Sequence, residues 1–118
     1  MPGSFEIKRV YAPASDDDGF RVLVDRLWPR GVKRETSKID LWAKEIAPSD
    51  AVRREFHGHP EHWDKFVAAY RQELTREPAA SAARDLLDKK GAVTLLYAAR
   101  DEAHNNAVAL KAWLEEQA

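Results

Sequence analysis

A chain of 118 residues falls in the usual range of one domain, roughly 100–200 residues, and can bury on the order of two-thirds of its unfolded surface. It has no cysteine, which excludes disulfides and thiolate chemistry and fits a reducing compartment. Nineteen basic and twenty acidic residues leave a net charge of −1, without the basic excess that tracking a nucleic-acid duplex requires.

The opening residues, Met1-Pro2-Gly3-Ser4-Phe5-Glu6, lack the apolar run of a signal peptide, and no stretch approaches a membrane span. A cytoplasmic location is the expectation. No repeat, low-complexity tract or linker interrupts the sequence, which reads as a single domain over residues 1–118.

Residues 5–11 predict a short strand with Phe5 and Ile7 on one face. Pro13, Ser15, three aspartates and Gly19 then supply turn chemistry. Residues 20–26, FRVLVDR, read as a strand buried on both faces, closed by Pro29 and Gly31. A broken helical segment follows, beginning at Ser37 and Asp40 and carrying Leu41, Trp42 and Ile46. Ser49 suits the N-cap of a second short helix with Val52 and Phe56 inward.

Pro60 opens the clearest helix, with Trp63, Phe66, Val67, Tyr70 and Leu74 on one stripe. A further helix over 79–90 is expected to bury Ala83, Leu86 and Leu87 and to stop at Gly91. Residues 93–99, VTLLYAA, form a second buried strand. Asp101 is placed to cap a last helix that turns Ala103, Ala107, Leu110 and Leu114 inward.

The two apolar strands have only helices between them, so they are expected to lie parallel with a right-handed crossover. The link from the first strand to the second is too short for a helical crossover, so the first strand should pair antiparallel or sit at the edge. The fold expected is a small three-layer, Rossmann-like α/β domain with a short mixed, mainly parallel sheet covered by helices.

Parallel central strands bring their carboxyl ends together, where open α/β sheets keep their ligand sites. One end carries Asp25, Arg26, Trp28 and Arg30; the other carries Tyr97, Arg100 and Asp101, then His104 and Asn105 at a helix start. Helix N-termini favour anions. The expectation is a small anionic ligand, phosphate- or nucleotide-like, with Arg26, Arg30 and Arg100 on the charge. Trp28 or Trp42 would stack on a ring, and Tyr97, Asp101 and Asn105 would complete the site. Asp25 and His104 are the candidates for proton transfer in a hydrolase or transferase reaction.

Bland readings stand beside these. Asp25 can serve an ion pair that orders the strand end, the arginines can be surface residues, and the tryptophans can be packing. On that view the polar residues only tie the strand ends to the helices; a separate class is a binding module without chemistry, sensing a metabolite or docking on a protein, with a tryptophan as anchor.

His57-Gly58-His59-Pro60-Glu61-His62 invites a metal reading, because imidazole ligates zinc, nickel and copper. The spacing matches no established zinc signature, so no metal ligand is assigned and no cofactor follows. There is no G-x-G-x-x-G, Walker loop, H-E-x-x-H or nucleophile elbow.

VDRLWPRG (24–31), DLWAKEIAPS (40–49), FHGHPEHWDKFVAAYRQEL (56–74) and TLLYAARDEAHNNA (94–107) resemble the YeaO-like branch of the domain-of-unknown-function 488 family. The resemblance spans nearly the whole chain, with its segments in order. It implies a bacterial-type α/β domain and falls on Asp25, Arg26, Trp28, Pro29, Arg30, Tyr97, Arg100, Asp101, His104 and Asn105. Longer members of the wider family carry a cysteine and a histidine after the last strand. Here only His104 stands in that region, so a thiol-dependent role does not carry over. The family brings no substrate, cofactor or mechanism with it.

Overall fold

The structure, a computed structural model, describes residues 4–116. Strand β1 (Ser4–Arg9) leads through a turn to β2 (Phe20–Leu23). After a long irregular segment come the two-residue strand β3 (Leu41–Trp42), helix α1 (Asp50–Phe56) and helix α2 (Trp63–Arg76). Helix α3 (Pro78–Asp88), strand β4 (Ala92–Tyr97) and helix α4 (Asn106–Glu116) complete the order.

The strands form one sheet in the order β1-β4-β2-β3, and every pairing in it is parallel. β1 does take an edge, but it runs parallel to β4 rather than antiparallel, so the sheet is parallel throughout. A helix is not needed for that crossover. Ten residues of extended chain reach roughly 33 Å, more than the roughly 20 Å needed to return along a six-residue strand and step two strand spacings.

The helix expected from Ser37 and Asp40 is replaced by β3 and a single 3-10 turn, Lys44–Ile46. The open edge of β2 explains the change, because its backbone groups need partners. The Asp40 N–H donates to the Arg21 carbonyl at 2.8 Å, and the Ala43 N–H to the Leu23 carbonyl at 2.9 Å. Ladder bonds at this edge outweigh the helical pattern of the sequence.

Side chains alternate across β2 and β4. Val22, Val24, Val93, Leu95 and Tyr97 pack with residues of all four helices. Leu23 and Leu96 face the other way, under Trp28, Val32, Ile39 and Trp42. The sheet is thus the middle of three layers, helices on one side and an irregular segment on the other. Arg21 anchors that segment by donating to the carbonyls of Ser37 and Lys38.

The stripe on α2 falls as expected, with Phe66, Tyr70 and Leu74 buried and Trp63 and Val67 packed at its margin. Ser49 caps α1, its hydroxyl accepting from the Val52 N–H at 3.2 Å. Two positions differ from expectation: Leu86 is exposed on α3, and Ala103 is exposed in a turn ahead of α4. No helix among the described residues is long and apolar enough to cross a membrane.

Candidate functional site

A cleft of about 390 Å³ opens at the carboxyl ends of β2 and β4, within the size range of ligand sites, roughly 300–1,000 Å³. Leu27, Trp28, Phe56 and Phe66 give it apolar walls, with Arg26, Arg53, His57 and His104 also in the lining. Asp25 and Asn106 supply further polar groups.

Asp25 follows directly on the ladder of β2, where the Val24 N–H still donates to the Leu96 carbonyl at 3.1 Å. Its carboxylate accepts from the Ala98 N–H at 3.0 Å and from the Asn106 amide at 3.0 Å. Burial pushes this carboxyl above its ordinary range, and those two donors with the nearby Arg53 charge offset only part of the rise. The ion pair with an arginine considered from the sequence is not how Asp25 is held; neutral N–H groups bind it.

Arg26 and Arg53 both lean on Asp50, at 3.5 and 3.2 Å, and all three side chains are about half exposed. Two guanidiniums sharing one carboxylate leave a positive balance at this wall. His104 is exposed; its Nδ1 lies 3.2 Å from the Asp101 carboxylate, and its ring meets Trp63 edge-on at 5.1 Å.

The structure gathers Asp25, Arg26, Trp28, His104 and Asn105 around the cleft. Arg30, Trp42, Tyr97, Arg100 and Asp101 do not line it. Trp42 lies under the opposite sheet face, where its indole N–H donates to the Asp25 backbone carbonyl at 2.8 Å. It also packs edge-on with Trp28 at 5.3 Å. Tyr97 is buried against the helical layer, and that burial raises its phenol. Arg30 and Arg100 are exposed.

The expected cap of α4 also shifts. Asp101 accepts from the N–H groups of Ala103 and His104 at 2.9 and 3.0 Å, and these bonds lower its carboxyl pKa. It therefore organises a turn, and α4 begins at Asn106. Asn105 caps that helix, its side-chain oxygen accepting from the Val108 N–H at 3.0 Å. The helix terminus expected to greet an anion is partly satisfied from within.

Sequence reasoning missed Arg53 and Asn106 as site residues. Arg53 arrives on α1, which reaches the strand ends only through tertiary packing. Asn106 had a local signal, its position just beyond the carboxyl end of a buried strand.

A family described as an inactive DUF488-N3 subclade matches residues 4–118. The uncharacterized protein YeaO of Escherichia coli is 41% identical over 111 residues, covering 94% of this chain and 96% of that protein. The uncharacterized proteins Rv3073c of Mycobacterium tuberculosis and Mb3100c of Mycobacterium bovis are each 38% identical over 104 residues, covering 88% of this chain and 87% of theirs. No solved structure matches the chain. A family match across the described fold, joined by relatives of nearly equal length, makes this chain a YeaO-like member of the DUF488 family.

Proposed function

We propose that this chain is a cytoplasmic binding module that holds a small ligand in the cleft beside Asp25 without turning it over. The ligand class best suited has a planar apolar body and an anionic group, as a nucleotide or an aromatic phosphate does. The observation carrying this reading is Asp25 itself: a burial-raised carboxyl, held by Asn106 and the Ala98 N–H, in a cleft walled by Trp28, Phe56 and Phe66. The rings would cover the ligand's face, Asp25 would read a hydroxyl or N–H group, and Arg26 and Arg53 would exchange Asp50 for the ligand's charge.

Two features support binding over turnover. Among the described residues no serine, threonine, cysteine or lysine lines the cleft, so they offer none of those nucleophiles. The matching family is also described as an inactive subclade. The raised Asp25 carboxyl favours a second reading, in which Asp25 and His104 move protons in a hydrolase or transferase reaction. That reading requires a pH–rate profile that loses a limb in Asp25→Asn or His104→Gln.

Thermal unfolding against nucleotides, sugar phosphates and simple anions tests the proposal. A ligand at one hundred times its Kd adds about 2.7 kcal/mol of stability. Arg53→Ala should weaken such a ligand by about 1.5–3 kcal/mol, the scale of a charged hydrogen bond, while Arg100→Ala leaves it unchanged. A shift lost in Arg100→Ala and kept in Arg53→Ala would place the ligand elsewhere. A flat panel would turn the reading to a protein partner.

A further inference from the structure

We propose that His59, Glu61 and His62 form a binding site for a borderline divalent cation, zinc, nickel or copper, at the entry to α2. The sequence spacing alone assigned no metal here, and the fold supplies what it lacked. Residues Pro60–His62 form one 3-10 turn, closed by the His62 N–H donating to the His59 carbonyl at 2.8 Å. His59 and His62 are therefore brought face to face, ring centroids 4.7 Å apart and planes within 16°.

Glu61 closes the set. Its Oε1 lies 3.3 Å from His59 Nδ1 and 3.9 Å from His62 Nε2, and one ligand atom from each residue falls within 4.8 Å of the others. Bonds of about 2.0–2.2 Å in a tetrahedral shell place neighbouring ligand atoms roughly 3.3–3.6 Å apart. Separations of up to 4.8 Å must close by about 1.2 Å to reach that spacing, a movement within reach of exposed side chains. Two imidazoles and a carboxylate form a donor set that suits zinc, nickel and copper.

A second observation concerns the other nitrogen of His62. Its Nδ1 lies 3.4 Å from the Glu55 carbonyl and 3.5 Å from the Glu55 carboxylate. Imidazoles that bind metal through one nitrogen characteristically donate from the other to a carbonyl or carboxylate, which fixes the tautomer and orients the ring. With Nδ1–H turned to Glu55, Nε2 carries the lone pair, 3.9 Å from the Glu61 Oε1. The cation would sit in the link between α1 and α2, braced against α1 through the His62–Glu55 contact, with water in its remaining positions.

Isothermal titration calorimetry on untagged, chelator-treated protein, with zinc chloride alone as the probe, tests this. One equivalent should bind, at least tenfold more weakly in His59→Ala and in His62→Gln, and undetectably in the double variant. His57→Ala should leave the affinity unchanged. Zinc binding should release protons or compete with them, so affinity should fall in acid. Cobalt bound in place of zinc should give the visible absorption of a tetrahedral site. Absent binding at millimolar zinc, or binding that survives the double variant with circular dichroism unchanged, would overturn the assignment.

Discussion

The Asn106 side chain donates both of its amide hydrogens to the end of β2, one to the Val24 carbonyl at 2.9 Å and one to the Asp25 carboxylate at 3.0 Å. Residues 81 positions apart are thereby joined at the first turn of α4. The same carboxylate also receives the Ala98 N–H that follows β4. Asp25 thus stitches together three segments that converge on the cleft, which a surface carboxylate would not do.

The pH dependence of stability reports this environment. Burial raises the folded-state pKa of Asp25 above its ordinary 3.8. A carboxyl raised on folding contributes stability that is complete below the unfolded pKa and lost as pH rises through the folded one. Asp25→Asn cannot ionise and escapes that loss. Its melting temperature minus that of the parent should therefore move in the variant's favour as pH rises above the ordinary carboxylate value of 3.8. Asn106→Ala removes a bond that lowers the pKa, so the Asp25 carboxyl should titrate higher still by NMR. A pH-independent difference in melting temperature would refute the assignment.

The parts legible in the sequence were those governed by local pattern. The α2 stripe from Phe66 to Leu74, the Ser49 cap and the two apolar strands follow from periodicity and capping chemistry. Long-range pairing governs the parts that were not. Leu41 and Trp42 share a helical-looking segment, and only the unpaired edge of β2 draws them into a strand. Direction of β1 depended on how far an extended link can reach. At the site, Asp25 and His104 were found because they follow buried strands, whereas Arg53 reaches the cleft by the docking of α1. Arg100 looked equivalent to Arg26 in sequence, yet the turn organised by Asp101 leaves it outside the lining.

Asp18 and Arg21 form an ion pair with only 7% and 5% of their surfaces exposed. Burial alone would raise the Asp18 carboxyl, but bonds from Lys8 at 2.7 Å, the Ser15 N–H at 3.0 Å and Arg21 together outweigh it and lower the pKa. Removing one partner leaves a buried charge unmatched, so Asp18→Leu should cost about 3–5 kcal/mol in urea unfolding. The double variant Asp18→Leu/Arg21→Met should recover only part of that: apolar replacement of a buried pair is often neutral, but the Ser37 and Lys38 carbonyls lose their Arg21 donors. The contribution of a lowered carboxyl is present above its unfolded pKa and lost as pH falls through the folded one. The gap between parent and Asp18→Leu should therefore narrow in acid, the slope opposite to that of Asp25.

Gly19 separates Asp18 from β2 at φ +66° and ψ −133°, a region that only glycine enters without strain of about 1–3 kcal/mol. The backbone there also passes against β4: a Cβ would lie 2.9 Å from the Ala92 carbonyl carbon and closer still to its oxygen. Neither β2 nor β4 can yield without disturbing the ladder that sets Asp25 beside Ala98. Gly31 offers the control, because it has φ +81° and no atom within 4 Å of the corresponding Cβ. Gly31→Ala should therefore cost the conformational strain alone, and Gly19→Ala distinctly more, read as the difference in urea midpoints. Equal losses would mean that the approach to Ala92 imposes no constraint, and that the register of β2 on β4 is set elsewhere.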